Sequence, residues 1–538
     1  MDELKNRRLQ LDSIDGKISL IFKNPIVLLI GVGLVGFLIR VYYFPWEIPI
    51  VLDGLDYFSY AVVTSQEGRL PIGWDLSNNG WPLFLSVFFS ISNYNELIEY
   101  SNIQRMLTVI ISVLTIIPVY FFCLRFVSKY SALIGASIFS LDPKIITNSL
   151  LGITETSFVF LGACSLFLFY SKEMRKVYAS FGILSLFTLI RYEGIILLIP
   201  FIILFVIRFR QQKKFFVKLL TIMLIFILII SPIALLRIQA TGYDGITSEI
   251  TRGGANYLSK HIVQGIPDKD DPIYGIDSDQ NRIEKFIVLG FTNLIKYLGW
   301  IMIPVLIFFV PIGFFIFLKS HHDKKKSIIL CSIFLMIPAF YVYGRGVEET
   351  RYLYVLFPIF CVFSSMFIEK LEGKFKSRGI LMVFLISVIL IGSISYLDYK
   401  KIDYNHEQEA FSISKKVVNI TSGINHFSPE SKYIHVAEVA ERWPEIPLPD
   451  ETGYNQLFEI KKISPENYSS LKEYLQDSKE KGLTHLIADG KQMNADFLND
   501  IFYNEEKYPY LIKEYDSKDD GFNYHVKVFK INYDLFEK

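Results

Sequence analysis

The strongest constraint on this chain is a series of apolar segments, each close to the length of a bilayer crossing. They recur from Ile26 to about Tyr396, with short basic clusters between them. A helix crosses the hydrocarbon layer with ~20 apolar residues, and its backbone groups must be satisfied within the span. Of the 538 residues, 51% are hydrophobic and only 20% charged, with mean hydropathy +0.34; soluble domains carry about 25% charge. After about Leu397 the chain turns polar and charged. The sequence therefore predicts a polytopic α-helical membrane protein with a soluble C-terminal α/β domain. Its parts are a cytoplasmic segment at 1–24, a transmembrane domain at 25–396 and the soluble domain at 397–538.

Basic clusters fix the expected topology. They fall at Arg125/Lys129, Lys172/Arg175/Lys176, Arg208/Arg210/Lys213/Lys214, Lys319/Lys324/Lys325/Lys326 and Lys370/Lys374/Lys376/Arg378. Short cytoplasmic loops are rich in Lys and Arg, so these clusters and the N-terminus go inside. The apolar run 177–207 is interrupted by Arg191-Tyr192-Glu193. A single helix there would carry Arg191 into the membrane at ~2.5–3.5 kcal/mol on insertion scales. Two helices with an outer turn at Arg191–Glu193 keep both flanking clusters inside.

The same logic places outer turns near Asp142–Glu155 and at Gly344–Thr350. The result is about eleven spans of roughly bilayer length: 25–43, 103–124, 131–148, 154–171, 177–190, 192–207, 215–238, 291–318, 327–344, 350–369 and 379–396. An odd number puts the C-terminal domain outside. A first outer loop at 44–102 holds a short interfacial helix at 82–92, and a second, polar outer loop covers 239–285. In the C-terminal domain, 406–420 and 465–481 read as helices. Residues 432–436, 484–488, 511–515 and 522–531 read as strands.

Several functions are excluded. Lys+Arg 55 against Asp+Glu 54 leaves a net charge of +1, without the basic excess of a nucleic-acid binder. The four cysteines lie in apolar runs with no CxxC pair, so neither a disulfide framework nor a thiolate metal site is expected. Gly31-Val32-Gly33-Leu34-Val35-Gly36 matches GxGxxG, but it sits inside a span, where small residues serve close helix packing. No cofactor is expected. The acidic run Asp268–Asp271 could bind a divalent cation, yet exposed acidic loops are usually just solvated.

The remaining charges gather on the expected outer face: Asp53, Asp56, Glu155, Arg191, Glu193, Arg345, Glu348, Glu349 and Arg351, with Arg105 at the outer start of the second span. The informative stretch is the first loop, with Leu52-Asp53-Gly54-Leu55-Asp56-Tyr57-Phe58-Ser59-Tyr60-Ala61 followed by Asn78-Asn79-Gly80-Trp81-Pro82-Leu83. An acidic residue just after the first span, then a loop with an aromatic and proline-rich end, resembles the GT-C membrane glycosyltransferases. The likeness is strongest to the branch of protein O-mannosyltransferases and bacterial lipid A aminoarabinose transferases.

Asp56, Tyr60 and Ala61 fit that branch's first-loop spacing, Arg105 its arginine opening the second span, and Arg351-Tyr352-Leu353 with Pro358 its late outer turn. Tyr57 stands where the branch usually has Glu, and no Lys precedes Pro82. The Trp-Trp-Asp motif of oligosaccharyltransferases is absent.

The resemblance implies a sugar donor on a polyprenyl or dolichyl phosphate, and a protein, lipid or glycan hydroxyl as acceptor. It implies an inverting transfer of mannose or another hexose at the outer membrane face. Asp56 is then the expected base, with Asp53 in reserve; at i,i+3 on a helix they share a face. Arg351, Arg191, Arg345 and Arg105 are the expected phosphate ligands, since guanidinium stays charged and binds phosphate through two donors. Glu155, Glu193, Glu349 and Tyr60 complete the candidate site.

Ordinary readings stand beside these. Asp next to Gly is common turn chemistry, and Arg191–Glu193 can be an ion pair at a turn. Arg345 and Arg351 can anchor at the interface, and Trp46 and Trp81 read as interfacial belt residues rather than sugar stackers. Glu155 can be a helix N-terminal carboxylate. Two other functions also compete. A transporter or lipid-sugar flippase would place polar groups near the bilayer midplane and often show repeats; here the charges are at the outer ends and no repeat is visible. A membrane-anchored sensor or scaffold would leave Asp56 and Arg351 dispensable.

Overall fold

The computed structural model describes residues 24–92, 96–258, 282–374, 378–400, 404–421, 424–426, 431–443, 463, 465, 468–489 and 496–537. The N-terminal basic residues, Asp268–Asp271 and Lys376 lie outside the described residues. The chain divides into two compact units. One draws on Met1–Phe44, Ser77–Trp81 and Arg105–Lys401, the other on Pro45–Leu76, Pro82–Gln104 and Ile402–Lys538.

The first unit is a helical bundle. Across the described residues of the chain, eight helices are long and apolar enough to cross a membrane: Pro25–Tyr42, Leu97–Cys123, Tyr192–Phe209, Phe215–Thr241, Ile283–Met302, Lys325–Gly344, Thr350–Glu372 and Leu381–Tyr399. The other three expected spans are helical but shorter. Thr154–Phe169 and Met174–Ile190 pack as neighbours. The span expected at 131–148 is two helices, Lys129–Leu141 and Pro143–Ser149, broken at Asp142.

Asp142 is the N-cap of the second piece; its carboxylate accepts from the backbone N–H of Lys144 at 2.9 Å, and proline follows at N1. That is a strong helix start, and it overrides the apolar continuity that suggested one helix. Likewise 291–318 is not one span. The Arg282–Met302 helix ends before Pro304, and a second helix runs Val310–Lys319. Proline lacks the N–H needed to continue the first one.

The first span shows what the GxGxxG glycines do. A Cβ on Gly36 would lie 2.3 Å from Ser140 Oγ and 3.4 Å from Ser140 O, so the small residue favours close approach to the Lys129–Leu141 helix. One turn on, Arg40 is wholly buried. Its guanidinium donates to Gly36 O (2.8 Å), Ser140 O (2.9 Å), Ser112 Oγ (2.9 Å) and Ser149 Oγ (3.1 Å). A buried charge is tolerated only with such full satisfaction, and here it ties three helices to the first.

The second unit joins the first inter-span loop to the C-terminal residues. The loop forms the Asp53–Glu67 helix and the Gly80–Ile91 helix, whose Pro82–Ile91 part belongs here. The C-terminal part carries a four-stranded sheet of order β1-β2-β4-β3: β1 Ile424–His426, β2 Leu483–Asp489, β3 Leu511–Asp516 and β4 Val526–Ile531. β1 runs parallel to β2, and the other pairs are antiparallel. Leu486, Ala488 and Phe529 of the sheet, with Leu475 and Ile501 of two helices, are fully buried in one core.

The strands expected at 484–488, 511–515 and 522–531 form, the last only from Val526. The strand expected at 432–436 does not. That segment lies in the Ser431–Arg442 helix, with Tyr433, Ile434, Val436, Ala437 and Val439 buried. The helical period shows only across the longer window; five residues looked like a strand. Helices form at Asn405–Ile420 and, within the expected 465–481, at Leu471–Lys479.

Candidate active site

In the first unit, three chain turns converge. Glu155 lies in the first turn of the Thr154–Phe169 helix, where the helix dipole favours a carboxylate. Arg191 caps the C-terminus of Met174–Ile190 in an extended conformation (φ −145°, ψ 123°), and Glu193 follows in the 3-10 turn Tyr192–Leu197. Glu349, Arg351 and Tyr352 belong to the turn that opens Thr350–Leu356. The hairpin expected around Arg191–Glu193 is therefore present.

Arg191 Nη1 lies 2.7 Å from Glu155 Oε1, and its Nη2 lies 3.0 Å from Glu193 Oε1. Arg351 Nη1 stands 3.8 Å from the same Glu155 oxygen, and its Nε pairs with Glu349. Glu155 thus bridges two guanidinium groups. The Tyr352 ring lies 5.7 Å from the Arg191 guanidinium and 5.6 Å from that of Arg351. Glu155 is nearly sealed (5% side-chain exposure), Arg191 is mostly so (11%) and Arg351 is reachable (23%). Glu155, Arg191, Glu193, Arg351 and Tyr352 line a cavity with about 30 Å³ of free space. That volume holds about two waters. Arg345 is exposed and Arg105 buried in the Leu97–Leu114 helix, both outside the cavity lining.

The Asn78–Trp81 stretch fixes two of these turns. Asn78 Oδ1 accepts from the backbone N–H of Tyr192 at 3.1 Å, beside Arg191. Trp81 Nε1 donates to Gly152 O at 3.0 Å, just ahead of Glu155. Between them, a Cβ on Gly80 would fall 2.4 Å from Leu189 O, so glycine alone admits this contact. Trp81 is fully buried, which corrects its reading as an interfacial belt residue: its indole N–H has a carbonyl partner inside the bundle. Tyr352 and Asn78 were not singled out as site residues from sequence, although both lie inside the motifs that were.

In the second unit, Asp53 and Asp56 open the Asp53–Glu67 helix at i,i+3, as expected. Leu52 before them has φ +53° and ψ −136°, a conformation that costs a side-chain-bearing residue about 1–3 kcal/mol. Gln104 Nε2 donates to Gly54 O at 3.0 Å and braces the first turn. Asp53 is exposed and Asp56 half-buried. Burial and, second, the charge of Asp53 push the Asp56 carboxyl up to about 7. The helix N-terminus acts in the opposite direction, so the desolvation is dominant. Tyr60, one turn on, is buried edge-on against Trp74 at 5.4 Å; it packs the unit's core. Among the described residues no group of three or more His, Cys, Asp or Glu is placed to hold a metal ion.

The structure is similar to that of ArnT from Cupriavidus metallidurans bound to undecaprenyl phosphate. The TM-score is 0.53 at 10% identity, covering 94% of this chain and 97% of that one. It is also similar to the Archaeoglobus fulgidus oligosaccharyltransferase tethered with an acceptor peptide, with TM-score 0.50 at 12% identity over 86% of this chain and 69% of that one. No protein-family model and no curated protein sequence matches the chain. At these identities the likeness is one of fold, and it runs nearly end to end with ArnT: the chain has the fold of the GT-C membrane glycosyltransferases.

Proposed function

We propose that this chain is an inverting glycosyltransferase that moves a hexose from a polyprenyl or dolichyl phosphate to an acceptor hydroxyl at the extracytoplasmic membrane face. The observation that carries the reading is Asp56. It is a carboxyl poised near neutral pH in the first inter-span loop of a GT-C fold, as a general base requires. ArnT, which shares the fold, is bound to undecaprenyl phosphate in its structure, which supports a lipid-phosphate donor.

Chemically, the acceptor O–H loses its proton to the Asp56 carboxylate as its oxygen attacks C1 of the sugar. The C1–O bond to phosphate breaks, and the electron pair leaves on the polyprenyl phosphate. That leaving group is already a stable anion, so it needs cations rather than a general acid. In the first unit, Arg351 and Arg191, bridged by Glu155, are the candidate cations for a phosphate. Of the carboxylates that pair with Arg351, Glu349 is more exposed than Glu155 and is the one an incoming phosphate would displace. Asp53 tunes Asp56 and is the reserve base. In this reading the N-terminus is cytoplasmic and the C-terminal domain extracytoplasmic.

The test is transfer of labelled sugar by purified protein in detergent, from dolichyl-phosphate mannose, dolichyl-phosphate glucose or an undecaprenyl-phosphate sugar, to membrane extract acceptors. Transfer that is lost in Asp56→Asn supports the reading. Undiminished transfer in that variant removes Asp56 as base, and no transfer from any of these donors removes the reading.

A further inference from the structure

The first unit gathers a second cluster of charge, at the end away from Glu155 and Arg191, that the transfer chemistry does not use. The Thr154–Phe169 helix carries Glu155 in its first turn and ends at Phe169. There Arg208, from the last turn of Leu198–Phe209, donates to Phe169 O at 2.8 Å and to Ser171 O, next to Lys172. Between these two carbonyls in sequence, the Tyr170 ring packs against Phe126 at 6.2 Å. Beside Phe126, Arg125 O accepts from Lys324 Nζ at 3.3 Å, and the same ammonium stands 5.3 Å from the Phe126 ring. Four cations from separate stretches of the chain therefore meet: Arg125, Lys172, Arg208 and Lys324. Burial and then the charges of Arg125, Arg208 and Lys172 push the Lys324 ammonium below its ordinary value, with Asp323 opposing them.

The basic bias of short loops and the attraction of cations to helix C-termini account for Arg208. They do not account for Arg125. Its guanidinium lies 5.4 Å from the Phe167 ring, and its buried Nε has no hydrogen-bond partner, an arrangement that costs free energy until an acceptor arrives. Among the described residues no carboxylate forms an ion pair with any of the four cations. The acids close by in the chain are engaged elsewhere: Glu173 pairs with Lys176, and Glu369 accepts from the Ser128 N–H at 2.7 Å. Like charges drawn together in this way are relieved by an anion. Guanidinium meets phosphate through two donors and ammonium meets it as a point charge. The depth of the cluster favours a lipid as the carrier of that phosphate. The apolar spans Leu97–Cys123, Tyr192–Phe209 and Lys325–Gly344 each end or begin within two residues of Arg125, Arg208 or Lys324, so the cations stand at the level of the head groups, where basic pockets between helices take anionic lipids.

We propose that this end of the bundle holds a phosphate group, ligated by Arg125, Arg208 and Lys324, and that an anionic phospholipid carries it. The site is independent of the glycosyltransferase reading. The experiment is titration of the full-length protein in detergent with phosphatidylglycerol, phosphatidylcholine, inorganic phosphate and glycerol 3-phosphate, with bound ligand read by native mass spectrometry. Phosphatidylglycerol binds saturably and about tenfold more tightly than phosphatidylcholine, whose choline opposes the cations. Arg125→Gln and Lys324→Gln each weaken it about tenfold, the loss expected for one charge-assisted hydrogen bond. Lys324 precedes its helix, so its variant reads the site even where Arg125→Gln does not fold. Lys213→Gln, which removes an exposed cation outside the cluster, leaves binding unchanged. The inference is overturned if phosphatidylglycerol binds no more tightly than phosphatidylcholine, if neither cluster variant weakens it, or if Lys213→Gln weakens it as much as they do. Inorganic phosphate or glycerol 3-phosphate binding as tightly as phosphatidylglycerol keeps the phosphate site and overturns the lipid as its carrier.

Discussion

The two groups of candidate site carboxylates are built on opposite electrostatic plans. In the bundle, Glu155 is nearly sealed from solvent yet lies between two guanidinium groups, 2.7 Å from Arg191 and 3.8 Å from Arg351. In the loop-derived unit, Asp56 is half-buried and the charge that acts on it is another carboxylate, Asp53; its proton is held up to about pH 7. One region fixes charge in place, and the other readies a carboxyl to take a proton and give it back. A carboxylate's surroundings, not its type, decide which task it performs.

The largest expected effect tests the second region. Asp56→Asn removes the base at constant volume and lowers kcat about 10²–10⁴-fold, with donor KM little changed, measured by initial rates of labelled-sugar transfer. Its thermal stability at pH 8 rises slightly, because the variant no longer holds a carboxylate ionised at a cost of desolvation. The first region responds in the opposite way. Arg191→Met strands Glu155 and Glu193 without their closest cation and destabilises the bundle by about 3–5 kcal/mol. A thermal melt in detergent reads this as a lower Tm, and Glu155→Gln in the same chain recovers part of it. If the carboxylate variant destabilised and the arginine variant did not, the contrast would fail.

How far the sequence exposes these plans differs by element. Apolar period and basic clusters locate the helices, and the Arg191–Glu193 turn follows from the cost of arginine in a span. The Asp53–Asp56 spacing is legible because a helical first turn puts i and i+3 on one face. Asp142-Pro143 is a readable helix start that apolar continuity masks, and Pro304 is a readable break. Trp81 is different: its amphipathic ring suits both an interface and a core, and only the Gly152 carbonyl decides between them. The bridge that Glu155 makes between Arg191 and Arg351 joins residues far apart in the chain, and no local pattern encodes it. The helix over Ser431–Arg442 hides in a window too short to distinguish the two periods.

A smaller effect sharpens the description of the bundle site. Trp81→Phe keeps an aromatic ring but deletes the indole N–H and its 3.0 Å hydrogen bond to Gly152 O. The loss of one buried hydrogen bond costs about 0.5–1.5 kcal/mol, added to the packing lost with the smaller ring and read as a Tm loss. Because Gly152 precedes Glu155, the variant also raises donor KM. A loss of stability with KM unchanged would reduce Trp81 to a packing residue.

The smallest effect is a matter of pH. Asp56 works as a base only when ionised, so transfer climbs as pH rises and reaches half its plateau near 7, the value to which the carboxyl is pushed. The stability sign is opposite. The folded value lies above the ordinary 3.8, so the folded chain holds this proton more tightly than the unfolded one. Its contribution to stability therefore falls as pH rises from about 4 to about 7, then stays flat. Asp53→Asn deletes the second of the two causes and leaves the first. The rising limb of the kcat/KM profile then moves to lower pH, by less than about one unit because Asp53 is exposed and its charge is screened. A limb that stays put assigns the whole shift to burial, and one that moves to higher pH contradicts a carboxylate pair.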